Sequence, residues 1–273
     1  MKRVAAVCRL AAAMGIFLLI AGSYAWSDPQ GDFEPYVGQP GKDVVWVPTP
    51  QALVDKMLEM ANVTPDDYLV DLGSGDGRTV ITAAKRGIRA MGVEYNPDMV
   101  RLSIKNAEEA GVSGKAKFIE GDIFKTDFSD ATVITMFLLP DLNLKLRPAI
   151  LDFPPGTRIV SNSFTMSEWV ADRVETLDNC DAWCTAYLWI VPARVQGSWE
   201  TSDGRLTLKQ EFQMISGTLV SNGKNISVNG KLNGDQISFS AAGVEYTGRV
   251  KGPAISGTAK SGMNSRPWTA VRK

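Results

Sequence analysis

Three glycines stand at every second position of the stretch "YLVDLGSGDGRTVITAAKRG", residues 68–87, and an acid precedes them. The apolar run before Asp71 predicts a short strand, and the residues after Gly77 predict a helix. Glycine lets the backbone adopt dihedral angles that other residues avoid and approach a ligand closely. Ligands of open α/β sheets bind at the carboxyl ends of the strands, which is where Gly73, Gly75 and Gly77 fall. The spacing therefore predicts a loop that lies against a ligand.

Two common phosphate-binding loops do not fit this pattern. The dinucleotide fingerprint G-x-G-x-x-G has Arg78 at its last position, and no Gly-Lys-Ser/Thr sequence is present as in a P-loop. What remains is D-x-G-x-G-x-G, followed by Glu94 in "GVEYN" and Asp122 in "EGDIF". Both acids end predicted strands. Acids at the ends of three successive strands are a more specific signal than the glycine loop by itself.

The chain has no histidine among its 273 residues. This excludes Ser-His-Asp and Cys-His nucleophilic schemes and histidine-ligated zinc. Chemistry here must use carboxylates, hydroxyls, backbone dipoles or a cofactor. Cys180 and Cys184 are too few to hold a metal, so we predict no metal site and a disulfide across a tight turn, with two free thiols as the alternative.

Residues 1–25 are predicted to be a signal peptide. Lys2, Arg3 and Arg9 precede an apolar run that is short for a membrane span, and Ser23-Tyr24-Ala25 offers a small-x-small cleavage site. An uncleaved anchor is the alternative. Positive charge before the run and acids after it place the body outside the cytoplasm in both cases, so we expect an exported, periplasmic or envelope-associated bacterial protein.

The rest of the chain divides near Pro192, after an N-terminal extension over residues 26–45. Residues 26–192 carry 15 basic and 25 acidic side chains, a net charge of −10, whereas residues 193–273 carry 11 and 5, a net charge of +6. Residues 46–192 alternate strand-like and helix-like periods, which predicts an α/β domain with a mostly parallel sheet. Residues 193–273 show short alternating runs separated by Asn-Gly turns, which predicts a small all-β meander or barrel.

Several local features of the first domain can also be predicted. Thr49 is predicted to cap a helix that has Pro50 at its first position, and "DLNLKLRPAIL" is predicted to be helical despite Pro148. The last two strands have no helix between them. They are predicted to form a hairpin at the edge of the sheet with both cysteines at its tip.

The motif "DLGSGDG", with Glu94 and Asp122 after it, resembles motif I of the class I, seven-strand, S-adenosylmethionine-dependent methyltransferases. The stretches "WVPTPQALVDKML", "FLLP" and "GTRIVSNSF" resemble one subgroup, the protein-lysine methyltransferases related to the mitochondrial enzymes that modify inner-membrane proteins. The resemblance covers roughly residues 44–192 and implies a Rossmann-like fold with S-adenosylmethionine as cofactor. It implies a cofactor site lined by Asp71, Gly73, Ser74, Gly75, Gly77, Glu94, Tyr95, Asn96, Asp122 and Ile123, with Trp46, Pro48 and Thr49 closing over it.

We expect the acceptor to enter beside "FLLP". Trp46, Phe137, Leu139 and Pro140 would form an apolar wall that keeps a lysine amine neutral, and Asp141 would take its proton through water. Asp141 as a plain helix cap is the alternative. The Asn/Asp-Pro-Pro-Tyr/Phe sequence of base and amide methyltransferases is absent after the fourth strand, and the domain is acidic, so nucleic acid is not the expected partner.

Three functions therefore stand open. The first is a protein-lysine methyltransferase acting on an envelope or membrane protein. The second is a small-molecule or lipid methyltransferase of the same fold. The third is a non-catalytic envelope binding protein. In each, the basic tail could associate with an anionic membrane surface or with the acidic domain, or could be a solvated appendage.

Overall fold

The computed structural model describes residues 33–273, and residues 34–273 of it form one compact unit. The predicted signal peptide lies outside the described residues. Among the residues that are described, no helix is long and apolar enough to cross a membrane.

The first part of this unit is a seven-stranded sheet with helices packed against it. Its elements are α1 Gln51–Met60, β1 Tyr68–Leu72, α2 Arg78–Lys85, β2 Arg89–Glu94, α3 Pro97–Glu109, β3 Ala116–Glu120, β4 Val133–Met136, α4 Pro140–Ile150, β5 Arg158–Asn162, β6 Arg173–Thr176 and β7 Thr185–Ile190. The strand order is β3-β2-β1-β4-β5-β7-β6. The first five strands in this order are parallel, and β7 pairs antiparallel with both β5 and β6. The predicted Rossmann-like sheet and its closing hairpin are confirmed.

Two apolar clusters hold the helices on this sheet. The central strands are apolar on both faces, as strands covered by helices on two sides must be. Leu69 and Val160 join the cluster under α1 and α2, while Val70, Ile134 and Ile159 join the cluster under α4. All five side chains are fully buried. Their alternation along each strand fixes the register that brings the strand ends to one edge.

The start of α1 differs from the prediction. Pro50 is the capping residue, the helix begins at Gln51, and no side chain caps it. Thr49 lies one residue earlier, where its buried hydroxyl accepts a hydrogen bond of 3.2 Å from the Asn162 side chain. The hydroxyl is therefore engaged with the end of β5 and cannot turn back to the helix. The helix α4 forms as predicted and contains Pro148.

The second part is a closed antiparallel barrel of eight strands in the order β10-β11-β12-β13-β14-β15-β8-β9. Its strands are β8 Gly197–Thr201, β9 Gly204–Glu211, β10 Met214–Ser221, β11 Lys224–Asn233, β12 Gln236–Ala241, β13 Val244–Lys251, β14 Ala254–Ser261 and β15 Asn264–Arg272. Consecutive strands are joined by two-residue turns, of which Asn222-Gly223 has both φ angles positive as its sequence predicts. The second predicted turn is shifted by one residue, to Gly234-Asp235. The barrel alternative of the prediction is thus confirmed.

The barrel interior is filled by aromatic side chains. Trp199 and Trp268 are buried, and the Phe239 and Tyr246 rings stack with centroids 4.7 Å apart. This core is separate from the clusters of the α/β part. Phe212 lies outside this core, in the turn between β9 and β10, with φ of 50°.

The contact between the two parts depends on that turn. The Phe212 ring stacks on Trp169 of the α/β part at 5.8 Å, and the side chain of Gln213 donates a hydrogen bond of 2.7 Å to the Val170 carbonyl. The Arg194 side chain also donates a hydrogen bond of 3.3 Å to the Leu151 carbonyl of the α/β part. The barrel is therefore packed against the sheet domain rather than tethered loosely to it.

Candidate active site

A cavity of about 560 Å³ opens at the carboxyl ends of the parallel strands. Fourteen residues predicted for the cofactor or the acceptor wall line it: Trp46, Pro48, Thr49, Asp71, Gly73, Ser74, Gly75, Glu94, Tyr95, Asn96, Asp122, Ile123, Phe137 and Leu139. The strand register brings these distant parts of the chain together, because parallel strands place their carboxyl ends on one edge.

Glu94 fixes the glycine loop in place. Its two carboxylate oxygens accept hydrogen bonds of 2.9 Å each, one from the Gly75 amide and one from the Asn96 amide. The amides of Gly73 and Ser74 donate to the Val93 carbonyl. These contacts tie the loop after β1 to the end of β2, so the loop is preorganised before any ligand arrives.

The glycines of the loop have different roles. Gly75 has φ of +54°, and a Cβ there would lie 2.6 Å from the Trp46 indole nitrogen, so this glycine lets Trp46 close over the loop. Gly77 was predicted to line the cofactor, but it does not line the cavity. A Cβ on Gly77 would lie 2.7 Å from the Phe118 ring and 3.0 Å from Ser103. Gly77 therefore serves the close packing of the start of α2.

Asp71 is buried at the floor of the cavity. It accepts a hydrogen bond of 2.6 Å from the Thr135 hydroxyl. Burial, aided by the nearby charges of Glu94 and Asp76, raises the pKa of Asp71 to about 7, although hydrogen bonds from Thr135 and Thr79 oppose the rise. A cation that enters beside this carboxyl would favour its ionised form.

Asp122 follows β3 and lies under a segment of which only Trp46 was predicted to belong to the site. The Phe124 amide and the Lys42 ammonium group both donate to this carboxylate and lower its pKa. Lys42 lies 2.9 Å from Asp122 and 4.9 Å from the centre of the Tyr95 ring. Residues 39–47 thus cross the cavity as a strap, closed on itself by hydrogen bonds between the backbones of Gln39 and Trp46 and their neighbours.

Two residues predicted for the acceptor side do not reach the cavity. Pro140 is the first residue of α4 and Asp141 the second, and both are exposed outside the cavity lining. The helix begins there with Leu139 as its cap, so its first turn directs Asp141 to the surface. Asp141 is therefore not placed as a proton acceptor, and it is not the cap either. Its charge suits the positive end of the helix.

Aromatic rings take the place of these residues. Phe137, Phe164 and Trp183 all line the cavity, with ring centroids 5.6 to 6.1 Å apart. Trp183 comes from the tip of the β6–β7 hairpin, where Cys180 and Cys184 form a disulfide. Phe164, Trp183 and Lys42 were not among the predicted site residues. The only signal for Trp183 was its position beside a predicted disulfide.

These features define a class I, seven-strand, S-adenosylmethionine-dependent methyltransferase. The model of the "ANTKMT methyltransferase domain" family matches residues 71–173. A protein-lysine N-methyltransferase from Saccharolobus islandicus is 42% identical over 151 residues, which is 54% of this chain and 94% of that protein. The chain belongs to this methyltransferase family.

Further relatives agree on the fold and differ in the acceptor that they are described with. The mouse "Adenine nucleotide translocase lysine N-methyltransferase" is 34% identical over 137 residues, 50% of this chain and 55% of that protein, so the match spans about half its length. A solved structure from Salinibacter ruber, described as an RNA methyltransferase in complex with S-adenosylhomocysteine, is 47% identical. It matches with a TM-score of 0.52 over 55% of this chain and 96% of its own. Each of these matches covers about half of this chain.

The residues present fit S-adenosylmethionine. The Ser74 hydroxyl is buried in the cavity lining and has no hydrogen-bond partner within residues 33–273, as expected of a group that awaits a polar ligand. The bare backbone at Gly73 and Gly75 leaves room for the methionine half. Asp71 would orient its ammonium group, Glu94 the ribose hydroxyls and Asp122 the adenine amine. S-Adenosylmethionine supplies a methyl group already activated on a sulfonium sulfur.

Proposed function

We propose that this protein methylates lysine side chains of an envelope or membrane protein. The observation that carries the proposal is the 42% identity to a protein-lysine N-methyltransferase across 94% of that relative. Two further relatives support a protein acceptor. The mouse relative is described as an adenine nucleotide translocase lysine N-methyltransferase, and a human relative, 35% identical over 130 residues, is described as a lysine N-methyltransferase of an ATP synthase component.

The cavity supports an amine acceptor because its outer end is aromatic and its inner end is acidic. A lysine must be neutral to attack, and an apolar wall favours the neutral form over the ammonium ion. The aliphatic side chains of Leu138 and Leu139 provide such a wall beside the cofactor residues. Because Asp141 is directed away, the lysine loses its proton to water at the mouth of the cavity. Positioning of the two reactants then supplies the rate enhancement, which can be worth roughly 7 to 11 kcal/mol.

The envelope location of the reaction is supported by two features. Residues 1–25 have the order of a signal peptide. The Cys180–Cys184 disulfide is of a kind that persists in oxidising compartments. Blocking free thiols in intact cells before lysis tests this location. We expect both cysteines to react with a maleimide only after reduction, and immediate reaction of both would contradict an exported protein.

RNA is the second candidate acceptor, because the Salinibacter ruber relative is described as an RNA methyltransferase. The net charge of −10 over residues 26–192 argues against it, since nucleic-acid binding relies on neutralising phosphates with basic side chains. A phosphate-binding surface would have to come from the barrel.

One labelling experiment separates the acceptors. The full chain is incubated with methyl-labelled S-adenosylmethionine in three separate reactions, which contain envelope proteins, total RNA or extracted lipids. We expect label in protein, recovered after hydrolysis as methylated lysine, and no label when the lysines are first blocked by acetylation. The Glu94→Ala variant is the control for cofactor-dependent labelling. Label in RNA or lipid would overturn the proposal in favour of that acceptor.

Association of the barrel with a membrane surface is a second part of the proposal. The barrel carries a net charge of +6, and Lys224, Lys251 and Lys260 are exposed on it. Sedimentation with vesicles of phosphatidylglycerol and phosphatidylethanolamine should remove the protein from solution at low salt and release it at high salt. The triple change of these lysines to glutamate should abolish sedimentation. Equal sedimentation of the parent and the triple variant would refute membrane association through the barrel.

A further inference from the structure

The tip of the β6–β7 hairpin has a disulfide and a strained backbone, which joining two strands does not require. Seven residues, Asp178–Cys184, form it, and the Cys180–Cys184 disulfide closes it with a Cα–Cα distance of 5.9 Å. Trp183 within it has φ of +59°, a region that bulky side chains rarely adopt. Such backbone conformations persist where surrounding structure imposes them, and they cluster at functional sites.

The conformation of the tip places the Trp183 ring in the cavity. Its centroid lies 5.6 Å from that of Phe137 and 5.7 Å from that of Phe164, and the two phenylalanine rings lie 6.1 Å apart. Trp183 nevertheless keeps 43% of its surface exposed. A tryptophan recruited only to fill a core would be covered, as Trp169 and Trp189 are. The three rings therefore form an open aromatic box at the outer end of the cavity.

Neighbouring structure restrains each of the three rings. Phe137 follows β4 directly. The buried side chain of Asn143 donates to the Phe164 carbonyl at 3.3 Å, and the Ser163 amide donates to the Thr185 carbonyl at 2.7 Å, which ties the segment of Phe164 to the base of the hairpin. The disulfide restrains the third wall, Trp183. A box with fixed walls loses little conformational freedom when it binds.

We propose that Phe137, Phe164 and Trp183 bind the amino group of the acceptor side chain, and that the Cys180–Cys184 disulfide positions Trp183 for this. The inference rests on the proposed function and names the subsite where the acceptor nitrogen sits. During transfer the nitrogen lone pair forms the new N–C bond, the C–S bond breaks with its electron pair passing to sulfur, and the positive charge moves from sulfur to nitrogen.

The faces of the three rings suit the nitrogen after this charge movement more than before it. A neutral amine gains little from an aromatic face, whereas an ammonium ion is attracted by the ring quadrupole. The contact therefore strengthens as the reaction proceeds, which is the property that lowers a barrier. Asp178 and Asp181, both exposed on the same tip, add negative charge that attracts a basic side chain to the mouth.

The box can be tested without knowing the acceptor. The full chain is labelled with 5-fluorotryptophan, and the fluorine resonance of Trp183 is assigned by its loss in Trp183→Phe. With S-adenosylhomocysteine present, choline is titrated against 3,3-dimethylbutan-1-ol, its uncharged isostere. We expect choline to shift the Trp183 resonance in a saturable way. The alcohol should bind at least about fivefold more weakly than choline, as a partly exposed cation–π contact predicts. An unmoved resonance, or equal effects of both probes, would overturn the inference.

The same titration tests the role of the disulfide. In Cys180→Ser/Cys184→Ser, choline affinity should fall about fivefold while S-adenosylhomocysteine affinity stays unchanged. Unchanged choline affinity would remove the disulfide from the proposal.

Kinetics then separate a role in the reaction from a structural one. With labelled envelope protein as acceptor, Trp183→Leu should lower kcat/KM by about tenfold or more, Trp183→Phe should recover most of it, and the affinity for S-adenosylmethionine should not change. If choline binds but no envelope protein becomes labelled, the box stands and the lysine acceptor is refuted. Labelled protein with kinetics indifferent to Trp183→Leu would refute the box and leave the proposed function standing.

Discussion

The ionisation of Asp71 should make the free protein less stable as pH rises through neutrality. The buried carboxyl has a pKa of about 7 in the folded chain, against an ordinary value of 3.8, because burial disfavours its charged form. A raised folded pKa means that the native state holds a proton which the unfolded state has already lost. Stability from this group is therefore complete below pH 3.8 and is lost as pH rises through 7.

The size of the effect follows from the two pKa values. One pH unit between them corresponds to about 1.4 kcal/mol, so the full difference is roughly 4 kcal/mol. Between pH 5 and pH 8 about 3 kcal/mol of the free energy of unfolding should disappear. Asp71→Asn mimics the protonated carboxyl and still accepts the Thr135 hydrogen bond. It should exceed the parent by about 2 kcal/mol at pH 5 and by roughly 4 kcal/mol at pH 8, because the unfolded parent is already ionised at pH 5.

Urea unfolding at both pH values measures these differences, and Asp67→Asn is a matched control. Burial acts to raise the pKa of Asp67, but hydrogen bonds from Arg158, Thr132 and the Thr64 amide outweigh it and lower the pKa below 3.8. Its stabilisation is therefore constant above about pH 5 and lost only in acid. Asp67→Asn should lower stability equally at pH 5 and pH 8.

Cofactor binding gives a second readout of the same group. The ammonium group of S-adenosylmethionine beside Asp71 favours the ionised carboxyl, so binding below pH 7 should release a proton and weaken by up to about tenfold per pH unit. Calorimetry in two buffers of different ionisation enthalpy detects that proton. If Asp71→Asn and the parent show parallel stability from pH 5 to pH 8 and release the same number of protons, the reasoning on Asp71 is wrong.

Three further predictions concern the loop and the barrel. Gly75→Ala should lower cofactor affinity at least about tenfold, because its Cβ would meet Trp46 at 2.6 Å, whereas Gly87→Ala, with open space around it and φ of +86°, should reduce stability and leave calorimetric cofactor affinity unchanged. Glu94→Gln keeps one acceptor for the two amides that Glu94 now binds, so cofactor affinity measured by calorimetry should fall less than in Glu94→Ala; equal losses would contradict a role in holding the loop. Trp268→Ala should destabilise the barrel by about 3 to 5 kcal/mol in urea unfolding without changing cofactor affinity at pH 8 in the folded protein, and a large affinity loss would show that the barrel contributes to the site.

Much of the fold could be predicted from the sequence because the period of the apolar residues differs between its parts. Residues 69–72 and 133–136 are apolar except at Asp71 and Thr135 and are buried at every position, which is typical of central parallel strands. The barrel strands alternate, and five of their seven two-residue turns contain a glycine. Closure of the barrel could not be predicted, because the pairing of β15 with β8 joins residues about 70 positions apart and leaves no local signal.

One error occurs where a side chain has two possible partners. The sequence preference at helix starts predicts the Thr49 hydroxyl as the cap of α1. In the structure this hydroxyl instead accepts a hydrogen bond from the buried Asn162 side chain. The proposed roles of Gly77 and Asp141 failed because a motif gives positions along the chain and not directions in space. A Cβ on Gly77 would point at Phe118 and not into the cavity. Asp141 lies on the exposed side of α4.

By itself the sequence determined the class of chemistry. Without histidine, and with acids at the ends of three strands around a glycine loop, a cofactor site was the interpretation that the residues allowed. Only the tertiary structure decided what surrounds that site. The Lys42 strap over Asp122 and the Trp183 ring beside Phe137 come from segments with no periodic pattern, and their contacts depend on packing between residues 80 and 46 positions apart. Local sequence fixes elements through short-range hydrogen bonds and periodic burial, whereas such contacts exist only once the sheet has brought the segments together.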